Sequence, residues 1–188
     1  MSTKRNVIDI LFSYSFAIIQ NICDKFVLCL LPYQNNVVIK SIASNHHNPS
    51  IRKKAFELLG ATIGKGTHFN PGILIVNDYP DLKLLVIGEN VSIAPGVIFL
   101  CNSGPNPKSP LATNNRYVKS KLIKKAPIII SDDVWIGAGV IIFPGVTIGK
   151  GAIIGAGTVL IKDIPEYSTV AGVPGRVIRN IMEFNEIL

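Results

Sequence analysis

Charge is scarce in this chain. Only 16% of its 188 residues are charged, well below the quarter usual for a globular protein. That excludes a disordered chain, a coiled coil and a bundle of charge-laced surface helices. Cysteine is scarcer still. Cys23, Cys29 and Cys101 are odd in number and scattered, so they form neither a disulfide framework nor the close pairs of a zinc site, and a reducing cytoplasm is the expected compartment. Aromatic residues are 7% of the chain, and no aromatic platform accompanies the basic residues, which argues against a nucleic-acid partner. Histidine is limited to His46, His47 and His68. No clean run of eighteen apolar residues exists either. The segment Val7 to Leu31 is apolar but is interrupted by Asp9, Gln20, Asn21, Asp24 and Lys25, and no small-x-small cleavage site follows it, so it reads as neither a span nor an export signal. It is expected to be a helix that packs on the rest of the protein or on a partner subunit. The sharper alternative is a helix lying on a membrane surface, with Lys4 and Arg5 toward anionic headgroups and the protein peripheral at the inner membrane face.

What is abundant is branched aliphatic. Isoleucine supplies 29 residues and valine 16, with 16 Gly and 12 Pro between them, a mix that favours short strands joined by tight turns. Residues 1–59 form a helical region. Within it IRKKAFELL, residues 51–59, reads as a short helix with Ile51, Ala55, Leu58 and Leu59 on one face and Gly60 as its stop. The preceding SNHHNPS is turn chemistry, with His46 and His47 expected to be solvated.

From Ile63 onward the pattern becomes a repeat of six. Ile130, Ile136, Ile142, Ile148, Ile154 and Leu160 stand at strict intervals, and four residues after each comes Val134, Val140, Val146, Ala152, Thr158 and Ile164. The frame also holds at Ile63, Phe69 and Ile75 and at Ile87, Ile93 and Phe99. A six-residue period is the signature of a parallel β-helix, in which each short strand forms one wall of a coil and lead side chains stack about 4.8 Å apart inside it. The coil is assigned to residues 60–170 and a C-terminal tail with a short amphipathic helix to 171–188. Between Phe99 and Ile130 the frame breaks, so a loop at about 100–127 is thrown out from the coil. Asp81, in NDYPD, also occupies a lead position, which makes that wall irregular. Two of the three histidines precede the coil, so no metal site is expected on it.

The stretch DDVWIGAGVIIFPGVTIGKGAIIGAGTVLIKDIPEYSTVAGVPGRVIR, residues 132–179, resembles the left-handed β-helix hexapeptide acyltransferases. The likeness is greatest to the maltose, galactoside and xenobiotic acetyltransferases and to the polysaccharide O-acetyltransferases, and it covers about residues 60–180. It implies a left-handed coil, a homotrimer, and acetyl-CoA in a groove between two subunits. By the same resemblance Trp135 stands on the cofactor side where the family has its Trp-Ile-Gly, Ala138 and Ala156 border the pantetheine arm, Ile161 and Lys162 stand where the family has a Thr-Lys pair beside the cofactor, and Arg176 and Arg179 match basic residues near the adenosine phosphates. Small residues at the two alanine positions let a thin amide-bearing arm approach the backbone, and arginine offers paired donors to phosphate. The resemblance implies transfer of an acetyl group to a hydroxyl of a sugar or glycan precursor.

The family's histidine base is missing. In VSIAPGVIFLCNSGPNPKS the histidine position falls at Gly104, or at Asn102 with a two-residue shift, and neither can take a proton at neutral pH. His68 lies 36 residues before Gly104, two coils of a regular repeat, which would stack the two positions about 9–10 Å apart. Asn70 and Asp78 resemble the residues that hold the sugar acceptor. Three readings follow: an O-acetyltransferase whose base is His68, Asp78 or a water placed by Asn102; an N-acetyltransferase acting on an amino-sugar, which needs no such base; or a relative that binds CoA without transferring.

The formal charge is +7. Lys108, Arg116, Lys119, Lys121, Lys124 and Lys125 lie in the loop with no Asp or Glu, so the loop holds nearly all of the excess. It is either a solvated loop or the receiver of an anionic group, the cofactor's phosphates or a phosphorylated acceptor.

Overall fold

The computed structural model describes residues 7–78, 82–106 and 108–184. Lys4, Arg5, Asp81 and the side chain of Lys121 lie outside the described residues. Three helices precede the coil: α1 (Val7–Leu30), α2 (Asn36–Asn45) and α3 (Pro49–Leu58). Asn35 caps α2 by accepting from Val38 N–H, and Asn48 caps α3 by accepting from Ser50 N–H, each satisfying one of the donors a helix start leaves open. The expected turn SNHHNPS is therefore shorter than read: its ends belong to α2 and α3, and only 46–48 connect them. Ile51, Ala55 and Phe56 are buried, with Arg52 beside them donating to the carbonyls of His46, His47 and Phe69. This ties the helices to the first coil.

The helix expected to pack on the protein does so along one side only. Leu31, just past its end, and Asp24 are buried, while Ile18, Ile19, Ile22 and Phe26 are exposed. Among the described residues no helix is long and apolar enough to cross a membrane.

The coil runs through β1 (Ala61–Ile63), β2 (His68–Phe69) and β3 (Leu74–Val76), then β4 (Leu85–Ile87), β5 (Ser92–Ile93) and β6 (Ile98–Leu100). The extruded loop carries β7 (Asn102–Ser103), α4 (Pro110–Asn114), a π turn over Val118–Leu122, and β8 (Lys124–Lys125), which pairs antiparallel with β7. Two more coils follow, β9 (Ile128–Ile130), β10 (Trp135–Ile136) and β11 (Ile141–Ile142), then β12 (Thr147–Ile148), β13 (Ile153–Ile154) and β14 (Val159–Leu160). The strands stack in parallel into three walls: the first joins β1, β4, β9 and β12; the second β2, β5, β10, β13 and β15 (Ser168–Ala171); the third β3, β6, β11 and β14. β16 (Arg176–Asn180) folds back antiparallel on β15, and a 3-10 turn spans Ile181–Phe184. The tail is thus mostly strand, because β15 leaves an edge that residues 176–180 can cover.

Inside, the hexapeptide frame is a stack. Ile87, Ile130 and Ile148 line one wall, Ile93, Ile136 and Ile154 the next, and Phe99, Ile142 and Leu160 the third, all buried. Each buried aliphatic side chain contributes about 1.5–3 kcal/mol of transfer free energy, which lets strands of two residues persist. The pitch is not uniform. Ile130 pairs with Ile148 eighteen residues on, but Ile63 pairs with Ile87, so the first coil takes 24 residues.

Candidate functional site

That longer first coil decides where the site residues fall. The edge between the third and first walls carries Asp78 after β3, Asn102 after β6, and Ile161 and Lys162 after β14. The edge between the second and third walls carries Asn70, then Ala138, then Ala156. His68 is exposed on the second wall, in register with Ser92 and, one coil further, Trp135. The expected stacking of His68 with Gly104 fails: His68 lies on β2 of the second wall, whereas Gly104 lies in the extruded loop just after β7.

Asp78 and Asn102 meet. Asn102 Nδ2 donates to Asp78 Oδ2 at 2.8 Å, and the Asp78 N–H donates to Asn102 Oδ1 at 3.2 Å. Both line a cavity of about 680 Å³, together with Gly104, Lys119, Lys124 and Lys125. The loop roof is folded: Ser109 caps α4, Asn115 Oδ1 accepts from Val118 N–H, and Ala112 and Val118 are buried beneath it. Asn70 is not part of this group. Its backbone and side-chain N–H groups both donate to Ile93 O, at 3.1 and 3.0 Å, stitching one coil to the next. Cys101, adjacent to Asn102, is fully buried, and burial pushes its thiol up to about 12, so it supplies no thiolate at neutral pH.

A cavity of about 780 Å³ between the helices and the first coil is larger, lined by Gln34, Asn36, Glu57 and Lys83 among others. Among the described residues, no pair of side chains lining it is hydrogen-bonded as Asp78 and Asn102 are in the smaller one.

The expected cofactor residues fall on two edges. Ala138 and Ala156 are exposed at equivalent corners of successive coils, linked by Gly157 N–H donating to Ala138 O at 2.8 Å. A Cβ on Gly137 would sit 2.6 Å from Ala156 N, so only glycine admits this spacing, whereas Gly139 (φ +66°) has nothing within 4 Å of its Cβ position. The corner is therefore tight between coils and open outward, a cradle that fits a thin arm. Trp135 is 58% exposed and Ile161 47% exposed. Lys162 is exposed on the opposite edge, and Arg176 and Arg179 are exposed on β16.

One cluster was not read from the sequence. Asp24 Oδ1 lies 3.2 Å from His47 Nε2 and 3.9 Å from His46 Nε2. The His46 side chain is 15% exposed, contrary to the expectation of a solvated pair. The residues are some twenty positions apart and only the packing of α1 brings them together. Their three ligand atoms lie within 4.8 Å of one another, but His46 Nδ1 accepts from Asn48 N–H, which puts the neutral ring's proton on Nε2 and denies that atom to a cation.

A three-walled parallel coil of hexapeptides, with a cavity at one edge and a tight glycine-alanine corner at the next, defines a hexapeptide-coil transferase fold. Residues 127–162 match the family model described as bacterial transferase hexapeptide (six repeats). A solved galactoside acetyltransferase in complex with coenzyme A is 32% identical, with 84% of this chain and 85% of that one covered at a TM-score of 0.57. The chain belongs to this family and folds as its left-handed β-helix. The Escherichia coli (strain K12) galactoside O-acetyltransferase is 41% identical over 119 residues, 63% of this chain and 53% of that protein. A 2,3,4,5-tetrahydropyridine-2,6-dicarboxylate N-acetyltransferase of Thermotoga sp. (strain RQ2) is 58% identical over 57 residues, 30% of this chain and 24% of that protein. The chain spans about half the length of the galactoside O-acetyltransferase it matches.

Proposed function

We propose that the chain is an acetyl-CoA-dependent acetyltransferase acting on a hydroxyl of a sugar or glycan precursor, and that it works as a homotrimer. The observation that carries the reading is the Asp78–Asn102 pair at the wall of the loop cavity, where the family's histidine would stand. Asn102 donates to Oδ2 of Asp78, and in this reading Oδ1 accepts from the incoming hydroxyl. As the hydroxyl oxygen bonds to the thioester carbonyl carbon, Asp78 takes its proton. The carbon–sulfur bond then breaks, and the proton passes to the departing thiolate, giving the ester and free CoA thiol. Acetyl-CoA supplies the activated acetyl group. Ala138 and Ala156 offer backbone to the pantetheine arm, and Arg176 and Arg179 offer cations to its phosphates.

The split supports the trimer. The cradle lies on one edge and Asp78, Asn102, Ile161 and Lys162 on another, so a complete groove needs the first edge of one copy against the second edge of a neighbour. The outward faces of β3, β6, β11 and β14 between those edges carry Leu74, Ile98, Ile141 and Val159, an apolar face suited to self-association.

Thiol release from acetyl-CoA with simple sugars tests the reading. Asp78→Asn is expected to lower kcat by about a hundredfold or more, and His68→Ala to keep most of it. The reverse pattern moves the base to His68. A second reading, transfer to an amine, is favoured by the missing histidine and by the likeness to an N-acetyltransferase. There Asp78→Asn would spare turnover with an amino-sugar.

A further inference from the structure

Resting on the acetyltransferase reading, we infer that the loop cavity selects an acceptor bearing an anionic group, carboxylate or phosphate, and that Lys119 and Lys124 receive it. Residues 100–127 hold six basic residues and no acidic one. Of the charged side chains lining the cavity, Lys119, Lys124 and Lys125 are cationic and Asp78 alone is anionic. Among the described residues the carboxylates that form ion pairs are Asp24, Glu57 and Asp133, none of them near the loop. Asp78 itself is held by Asn102. Among the described residues neither Lys119 nor Lys124 forms an ion pair with a carboxylate.

The lysines are also placed by structure. Val118 is buried under the loop and fixes the residue after it, and β8 is pinned in register to β7, with Lys124 opposite Ser103 and Lys125 opposite Asn102. Cations held at the rim of a cavity whose wall carries the proposed base attract an anionic acceptor and orient it for reaction. The cofactor's phosphates are a poorer match. The arginines suited to them lie on β16, beyond the last coil, whereas the cavity opens beside the first two. At about 4.8 Å per coil the two are separated by roughly 10 Å or more along the axis.

The test compares thiol release from acetyl-CoA by the full-length protein with three acceptors: methyl galactoside (neutral), galacturonic acid (carboxylate) and galactose 1-phosphate (phosphate). We expect kcat/KM for at least one anionic acceptor to exceed that for the neutral one by about tenfold or more, and the preference to shrink between 50 and 500 mM salt, at roughly these ionic strengths. The double variant K119Q/K124Q should collapse that preference, chiefly through KM, without raising the KM for acetyl-CoA, and K119R/K124R should retain it. Whichever anionic arm responds identifies carboxylate or phosphate. Equal turnover of neutral and anionic acceptors, or a rise in the acetyl-CoA KM in the Gln variant, overturns the inference while leaving the acetyltransferase reading intact. No thiol release with any acceptor overturns both.

Discussion

Individual residues here are set by distances the sequence does not display. Asp78 and Asn102 are 24 positions apart, which is one turn of the first coil. A regular pitch of eighteen pairs each of them with other residues, so their contact could not be read in advance. The alanines of the cradle were legible, because IGAG and IGAG recur at the family's spacing, and the structure shows why glycine precedes each. Gly137 sets the closeness of the corner. In Gly137→Ala the new methyl would press on the Ala156 backbone, which has no flexible end to yield. We expect a loss of about 1–3 kcal/mol in urea denaturation, together with weaker acetyl-CoA binding by calorimetry because the Ala138–Ala156 spacing must widen. Unchanged binding would show that the cradle does not hold the cofactor.

Among elements, the strands, α1 and α3 were the legible part and α2 the obscure one. A six-residue period is enforced by stacking that every coil repeats, whereas α2 rests on an Asn35 cap and on burial of Ile39 and Ala43, and its run of β-branched residues carries little helical signal. The junction of α1 with the α2–α3 turn has a pH dependence that follows from Asp24 and His46. Burial, aided by the neighbouring His47 and Arg52, lowers the pKa of His46 against the opposing pull of Asp24. The hydrogen bond from Asn48 lowers that of Asp24, with His47 adding to it. A histidine whose folded pKa is depressed binds fewer protons folded than unfolded. Its contribution is therefore complete above the ordinary histidine range and is lost as pH falls through that range. Asp24 acts in the same sense at lower pH. Thermal melts should show Tm declining from pH 7.5 to 5.5, and His46→Asn should flatten that decline. An equal decline in the variant would assign it to other groups.

At the scale of the whole molecule, the proposed split of the site between two edges makes a prediction that no property of one chain can mimic. A variant blocked at the cradle (Ala138→Arg) and one blocked at the base (Asp78→Asn) should each be inactive. If the two are unfolded and refolded together, about a quarter of the grooves should combine the sound edge of each, and thiol release should return. Failure to recover activity, with a trimeric mass near three times 20.4 kDa retained, would place the whole site within one chain. The two departures from the repeat, residues 77–84 and 101–127, both leave the third wall and rejoin the first, so Ile63, Ile87, Ile130 and Ile148 keep their column however long the excursion. Length and sequence at that one corner are thus mechanically uncoupled from the stack that holds the protein together. Transplanting residues 102–125, which leaves the buried Cys101 with the stack, into another coil of this kind should carry acceptor preference across while leaving the recipient's thermal stability in place.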